Sequence, residues 1–263
     1  MISSLNNKPH TMKVVKTFML AVMLTALGSC AELMQIAQET AGSGNALTQT
    51  EIIAGLKEAL IVGTNNSVEV LGVTDGYYRD EAVKILLPPE ADIIIDNIGR
   101  IPGGQRLLDD VLLRINRAAE DAVAEAAPIF VNSIRSMTIN DAVGILKGEE
   151  NAATRYLHST TYNDLMKLYT PKIEASLDKK LVGNISTKQS WDTLVMRWNE
   201  AANSVLGQVA GLKPVDLQLE EYLTEKALDG LFLKIENEEK LIREDPAARV
   251  TDLLNRVFGT VRS

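Results

Sequence analysis

Apolar residues recurring every three or four positions run through this chain, and they limit its fold more than any other feature. One such stripe is Leu107, Leu108, Val111, Leu112, Ile115, Ala118, Ala119 and Ala122. A helix turns once in about 3.6 residues, so this spacing collects the apolar side chains on one face, which a second surface must cover. Ile52, Leu56, Ala59, Leu60 and Gly63 keep the same rhythm, as do Trp191, Leu194, Val195, Trp198, Ala202 and Val205. No series of alternating apolar and polar residues marks a sheet. The expected fold class is therefore all-α, a single multi-helix, bundle-like domain over residues 47–259, with 260–263 as a tail.

The helix boundaries follow from capping and proline. Thr48 to Glu51 is a capping-box pattern that opens the first helix. The region 72–104 is the least regular, with "VTDGYY" as a turn, "AVKILLPPE" as an extended piece and "RIPGG" as a break. It has room for a short strand pair. Pro128 is expected to interrupt or kink the helix around it, and Pro171 to bend a helix running from Thr161 to about Leu181. Asp141, in the first turn after Thr138, suits the dipole of a short helix ending at Leu146. A long helix is expected from Leu219 to about Arg243. Asp245-Pro246 then reads as a cap followed by proline at the first position of the last helix.

The only cysteine, Cys30, stands where an apolar run stops. Lys13 and Lys16 precede that run, Phe18 to Leu27, which falls short of the roughly 20 residues a spanning helix needs. A basic start, a short apolar stretch and small residues at its end mark a secretory signal peptide over residues 1–29, initiated at Met1 or Met12. Its ending, Leu27-Gly28-Ser29-Cys30, resembles the lipobox of bacterial lipoproteins. The resemblance implies cleavage between Ser29 and Cys30, lipidation of the Cys30 thiol and membrane attachment through that lipid. Ala31, where Asp would favour inner-membrane retention, points to the outer membrane. A buried structural thiol would lie in the core, and a catalytic thiol would want a histidine partner. Residues 30–46, with "TAGSGNA", form a flexible tether. With Cys30 lipidated, no disulfide can form, and the domain must stand on its apolar core.

Charge excludes one class of partner. Residues 1–29 contain three lysines and no acid, so their removal takes the net charge from -8 to -11. An acidic body is poorly suited to nucleic acid, which is bound chiefly by Lys and Arg on phosphates.

Candidate chemistry is sparse. Glu221, Glu225 and Asp229 fall four apart, putting three carboxylates on one helix face, where like charges oppose each other. They would attract a hard cation or basic side chains; Arg114 and Arg117 are the expected partners. Gly230 is unfavourable inside a helix and suggests close approach of another helix. His158 is isolated, reads as a surface or capping residue, and cannot form a zinc cluster alone. Trp191 and Trp198, seven apart, are expected in the core. No metal site, cofactor fingerprint or nucleophile–base pair is recognisable.

Several segments together resemble bacterial domain-of-unknown-function family 4197: "EIIAGLKEAL" (51–60), "PIF" (128–130), "DAVGIL" (141–146), "YLTEKALDGLF" (222–232) and "DPAARVTDLLNRVFG" (245–259). The resemblance implies a shared fold and an exported, often lipoprotein-like character, and no catalytic residue. Three functions are carried forward. The first is a lipid-anchored, non-enzymatic module that binds another envelope component. The second is a carrier of lipid or another hydrophobic ligand, and the third is an enzyme using the carboxylates around Glu225 and Asp229.

Overall fold

A computed structural model describes residues 46–260. Ser29, Cys30 and all but the last residue of the tether lie outside the described residues. The chain divides into two units, and the described helices all belong to the second, Thr48–Ser263.

Four long helices form the body: α1 (Gln49–Leu71), α3 (Gly104–Ser136), α5 (Ala152–Leu177) and α8 (Leu219–Glu244). Each is covered by two of the others, in the cyclic order α1, α3, α5, α8. Neighbours run antiparallel, as the cross-links Lys57–Arg135, Lys172–Glu125 and Asn151–Glu236 require. The shorter helices are α2 (Asp92–Asn97), α4 (Ala142–Leu146), α6 (Thr187–Asn203), α7 (Val205–Val209) and α9 (Asp252–Phe258). The all-α expectation holds. The stripes seen in the sequence are buried faces at Leu56, Leu60, Val111, Ile115, Leu194 and Trp198. Val205, expected on the same face as Trp198, is instead 79% exposed, because α6 ends at Asn203 and the chain turns into a new helix there. Among the described residues there is no strand, only an isolated bridge between Val182 and Ile185. No described helix is long and apolar enough to cross a membrane.

Several boundaries differ from the sequence reading. Thr48 does cap α1, through reciprocal bonds with Glu51. Pro128, however, does not end a helix; α3 runs through it for 33 residues. Proline removes the amide that would bond Ala124, and both residues are exposed, so water can take the freed carbonyl. Pro171 sits likewise on an exposed face of α5, which spans Ala152–Leu177 rather than starting at Thr161. Asp141 is the N-cap of α4 itself, accepting the Gly144 amide at 2.8 Å. At the C-terminus, Asp245 and Pro246 open only a three-residue 3-10 turn, and the last α-helix begins at Asp252 under a Thr251 cap.

Region 72–104 contains no strand pair. Its extended piece finds a side chain in place of a neighbouring strand. Asn116 of α3 accepts the Ile85 amide (2.9 Å) and donates to the Ile85 carbonyl (2.8 Å), the two bonds a strand partner would supply. Glu120, one turn further, accepts the amides of Tyr77 and Tyr78 (3.1 Å each). Tyr77 is fully buried and donates its hydroxyl to the Ala227 carbonyl on α8.

The same device joins the other end of the body. No side chain of its own caps the N-terminus of α5. Glu239 of α8, 1% exposed, instead accepts the amides of Ala153 (3.0 Å) and Thr154 (2.7 Å). Arg243 pairs with Glu239 at 2.7 Å and donates to the carbonyls of Ile145 and Leu146 at the end of α4. One buried ion pair thus satisfies the free backbone groups of two helix ends.

Candidate functional site

The carboxylates expected to share one face of α8 do lie on its outer side, but they do not converge on one partner. Leu223, Ala227, Leu228, Leu231 and Ile235 face the core, which leaves Glu221, Glu225 and Asp229 on the outer side. Glu221 borders a cleft of about 680 Å³ between α5, α6 and the segment entering α8. Glu225 and Asp229 converge instead on Lys226, at 2.8 and 3.1 Å. Hydrogen bonding to Glu225, with Asp229 adding to it, holds the Lys226 ammonium well above the usual lysine range.

Arg114 and Arg117 are not their partners. Arg114 pairs with Asp110 at 2.6 Å and donates to the carbonyls of Val182 and Ile185, holding the loop before α6. Arg117 bridges Asp75 (2.5 Å) and Glu120 (2.6 Å). Both arginines project from α3 toward irregular backbone, where their forked donors satisfy several acceptors at once. A surface pair on α8 needed no long-range partner, because Lys226 was one to three residues away.

Gly230 is explained by close approach, though not of a helix. A Cβ there would stand 2.9 Å from the Tyr77 ring and 3.3 Å from Val83, both in the 72–104 region.

Asp229 is also a wall of a groove of about 450 Å³ between α5 and α8, with Arg155, His158, Phe232 and Glu236. His158 is exposed in the middle of α5, so it is a surface residue and caps nothing. Its ring stacks on Tyr162 (centroids 4.5 Å, planes 28° apart) and meets Phe232 at 4.7 Å. Phe232 in turn contacts buried Phe130 at 5.2 Å, so the aromatic group is rooted in the core. Burial, reinforced by the charges of Asp229 and Glu225, pushes the Tyr162 phenol up to about 12. It remains a neutral hydrogen-bonding group throughout the physiological range.

The charges around the aromatic group are engaged with neighbours. Arg155 pairs with Glu149 at 2.6 Å, and Glu236 accepts from Asn151 at 3.1 Å. The groove therefore offers an aromatic platform edged by both signs of charge. That suits recognition of a mixed apolar and polar surface. Among the described residues, no three His, Cys, Asp or Glu side chains converge as a metal ion would require.

The sequence reading singled out His158 and Asp229 separately and missed Tyr162, Phe232, Arg155 and Glu236. A signal was present on one side: His158 and Tyr162 are four apart and share a helix face. That Phe232 completes the platform depends on how α5 crosses α8, which spacing within either helix does not encode. Trp191 and Trp198 are in the core as expected, and their indole nitrogens donate to the carbonyls of Leu217 (3.2 Å) and Lys213 (2.9 Å). Trp191 additionally forms part of the wall of the 680 Å³ cleft.

No curated protein and no solved structure matches the chain. A family model does, over residues 46–259, which takes in α1 through α9. The chain belongs to the family described as "Protein of unknown function (DUF4197)".

Proposed function

We propose that this protein is a lipid-anchored module of the bacterial cell envelope, which binds another envelope component through the groove between α5 and α8. Lipid on Cys30 holds it at a membrane, and Ala31 directs it to the outer membrane, facing the periplasm. The observation that carries the binding role is the platform of exposed His158 and half-buried Tyr162 built on buried Phe232 and Phe130. An aromatic cluster that is rigid underneath and open above supplies contact area at low entropic cost. Lys226 occupies the carboxylates of Glu225 and Asp229, which favours positioning over the proton transfer an enzyme would ask of them.

The carrier reading draws on the cleft walled by Met166, Leu177 and Trp191. Its margin carries Glu174, Asp192 and Glu221, and Lys188 pairs with Glu220 beside them. An apolar ligand prefers a mostly apolar, enclosed pocket, so this cleft suits a hydrophobic cargo less than the groove suits a partner surface.

Two experiments test the proposal. Cys30→Ala is expected to abolish lipid labelling and leave the precursor uncut; normal processing of that variant would overturn the anchor. A photo-crosslinking residue at position 158 should give one reproducible adduct in cells, and the same probe at exposed Val70 on α1 should not. Equal adducts from both positions would remove the groove from the account.

A further inference from the structure

Helix α7 is laid on the end of α6 with its smallest residue inward. Gly207 is buried, and a Cβ on it would stand 2.1 Å from the Ala201 carbonyl oxygen. That seat turns Val205, Leu206 and Val209 outward, where they are 79%, 82% and 83% exposed. Surface helices ordinarily bury their apolar face; this one displays it.

The exposed tip is firmly held. Ser204 Oγ accepts the Gly207 amide at 3.0 Å, and the Leu212 amide closes on the Gly207 carbonyl at 2.9 Å. Gly211, at φ +73°, reverses the chain in a conformation that favours glycine. The returning segment is fastened to α6 by Trp198 on the Lys213 carbonyl and by Asn199, which bonds both the amide and the carbonyl of Val215 at 2.8 Å.

Charge indicates what the tip meets. From Ala201 to Leu212 there is no charged residue, although 24% of the chain is charged, and the next residue, Lys213, is basic. On a body of net charge -11 after residue 29, this is a part that can approach a lipid surface without like-charge repulsion. A second copy of the chain fits poorly. Stable interfaces bury about 1,200–2,000 Å² and engage roughly 20–30 residues a side, whereas the tip offers three aliphatic side chains. Lipid needs no matching shape.

We propose that the α7 tip inserts into the lipid bilayer that holds Cys30, giving the domain a second point of attachment. The proposal rests on the anchored reading for bringing that bilayer within reach. Chain length permits it. Residues 31–47, fully extended, span up to about 58 Å. The start of α1 lies by the C-terminal end of α3, where Lys57 bonds the Arg135 carbonyl. The start of α6 lies by Arg114, and α6 passes Asp110 on its way toward the N-terminal end of α3. These bonds leave the first residues of α1 beyond one end of α3 and α7 beyond the other, and α3 alone is about 50 Å long. The domain therefore meets the bilayer lying along its length, which brings the start of α1 within the tether's reach of the membrane plane. Tethering makes insertion intramolecular, so a weak apolar contact suffices.

The test couples Cys30–Ser263 through its single thiol to phosphatidylcholine vesicles bearing a maleimide lipid, with brominated acyl chains as quencher. In the Leu206→Trp variant the added indole should lose emission, while buried Trp191 and Trp198 should not. Adding Val205→Asp and Val209→Asp should restore that emission without altering thermal unfolding, because both positions are exposed. Unquenched emission from Leu206→Trp would overturn the proposal. So would a concentration-dependent dimer that the aspartates abolish in the absence of quenching, since the tip would then belong to a second copy. The coupling is chemical, so failure here leaves the cellular lipidation of Cys30 untouched. Conversely, normal processing of Cys30→Ala would end the anchored reading and leave the quenching result standing.

Discussion

The body of the protein and its α6–α7 arm break the rule of apolar inside and polar outside in opposite directions. In the body, Glu239, Arg243, Glu120 and Asn116 are buried among aliphatics. In the arm, Val205, Leu206 and Val209 stand in solvent. The buried polar groups have intramolecular work: each bonds backbone amides or carbonyls that irregular segments and helix ends would otherwise leave unsatisfied. The exposed aliphatics have none within the described residues. A buried charge that is fully bonded is explained by the fold. An aliphatic cluster held rigidly outside it is explained by something the fold contacts.

Substitutions can break this contrast, and the largest effect belongs inside. Glu239→Ala should destabilise the domain by about 3–5 kcal/mol in denaturant unfolding, because it strands the Arg243 charge and two α5 amides together. A small effect would mean that water replaces the carboxylate and that the buried pair is not a structural clamp. Next, Asn116→Leu should cost about 1–3 kcal/mol by leaving both backbone groups of Ile85 unpaired. Hydrogen exchange should show lost protection at Ile85 while the α5 amides remain protected.

Acid should act more gently, and on the surface-facing ends of these networks. Hydrogen bonding from Arg117 holds the Asp75 carboxyl below its usual range, and hydrogen bonding from Lys234 does the same for Asp80. A folded-state value below the unfolded one contributes stability above the unfolded value, near 3.8 for aspartate, and loses it as pH falls through the folded value. The denaturant midpoint should therefore drop on going from about pH 6 to about pH 3. Asp75→Asn with Asp80→Asn should flatten that drop. The smallest effect is expected outside. Leu206→Ala should change stability by less than about 0.5 kcal/mol, whereas Leu56→Ala, the same deletion in the core, should cost about 2–5 kcal/mol. If the two were similar, the tip would have an intramolecular partner after all.

Much of the architecture was legible because helical periodicity is a local property. Val111 and Ile115, or Leu194 and Trp198, announce their common face from spacing alone. Pro128 misled as a possible helix end because exposure mattered: a missing amide bond ends a helix only if the freed carbonyl has nowhere to turn, and Pro128 faces solvent. Region 72–104 misled for a related reason. Its extended piece has the look of a strand, and no rule of local pattern says that its partner is a carboxamide 31 residues away.

The candidate groove was half legible. His158 and Asp229 stood out as residue types, but Arg114 and Arg117 were assigned to the wrong acids, since charge pairing depends on which helices meet.

From sequence alone came the helical class, the acidic body unsuited to nucleic acid, and the family likeness, together with the reading of Cys30 as an anchor. All of these depend on composition or on neighbours along the chain. Tertiary structure decided that Glu239 caps a helix it does not belong to, that Phe232 joins His158 and Tyr162, and that α7 turns its aliphatics outward. Those depend on crossing geometry between segments remote in sequence. Periodicity tells which face of a helix is apolar, and only packing tells whether that face is covered.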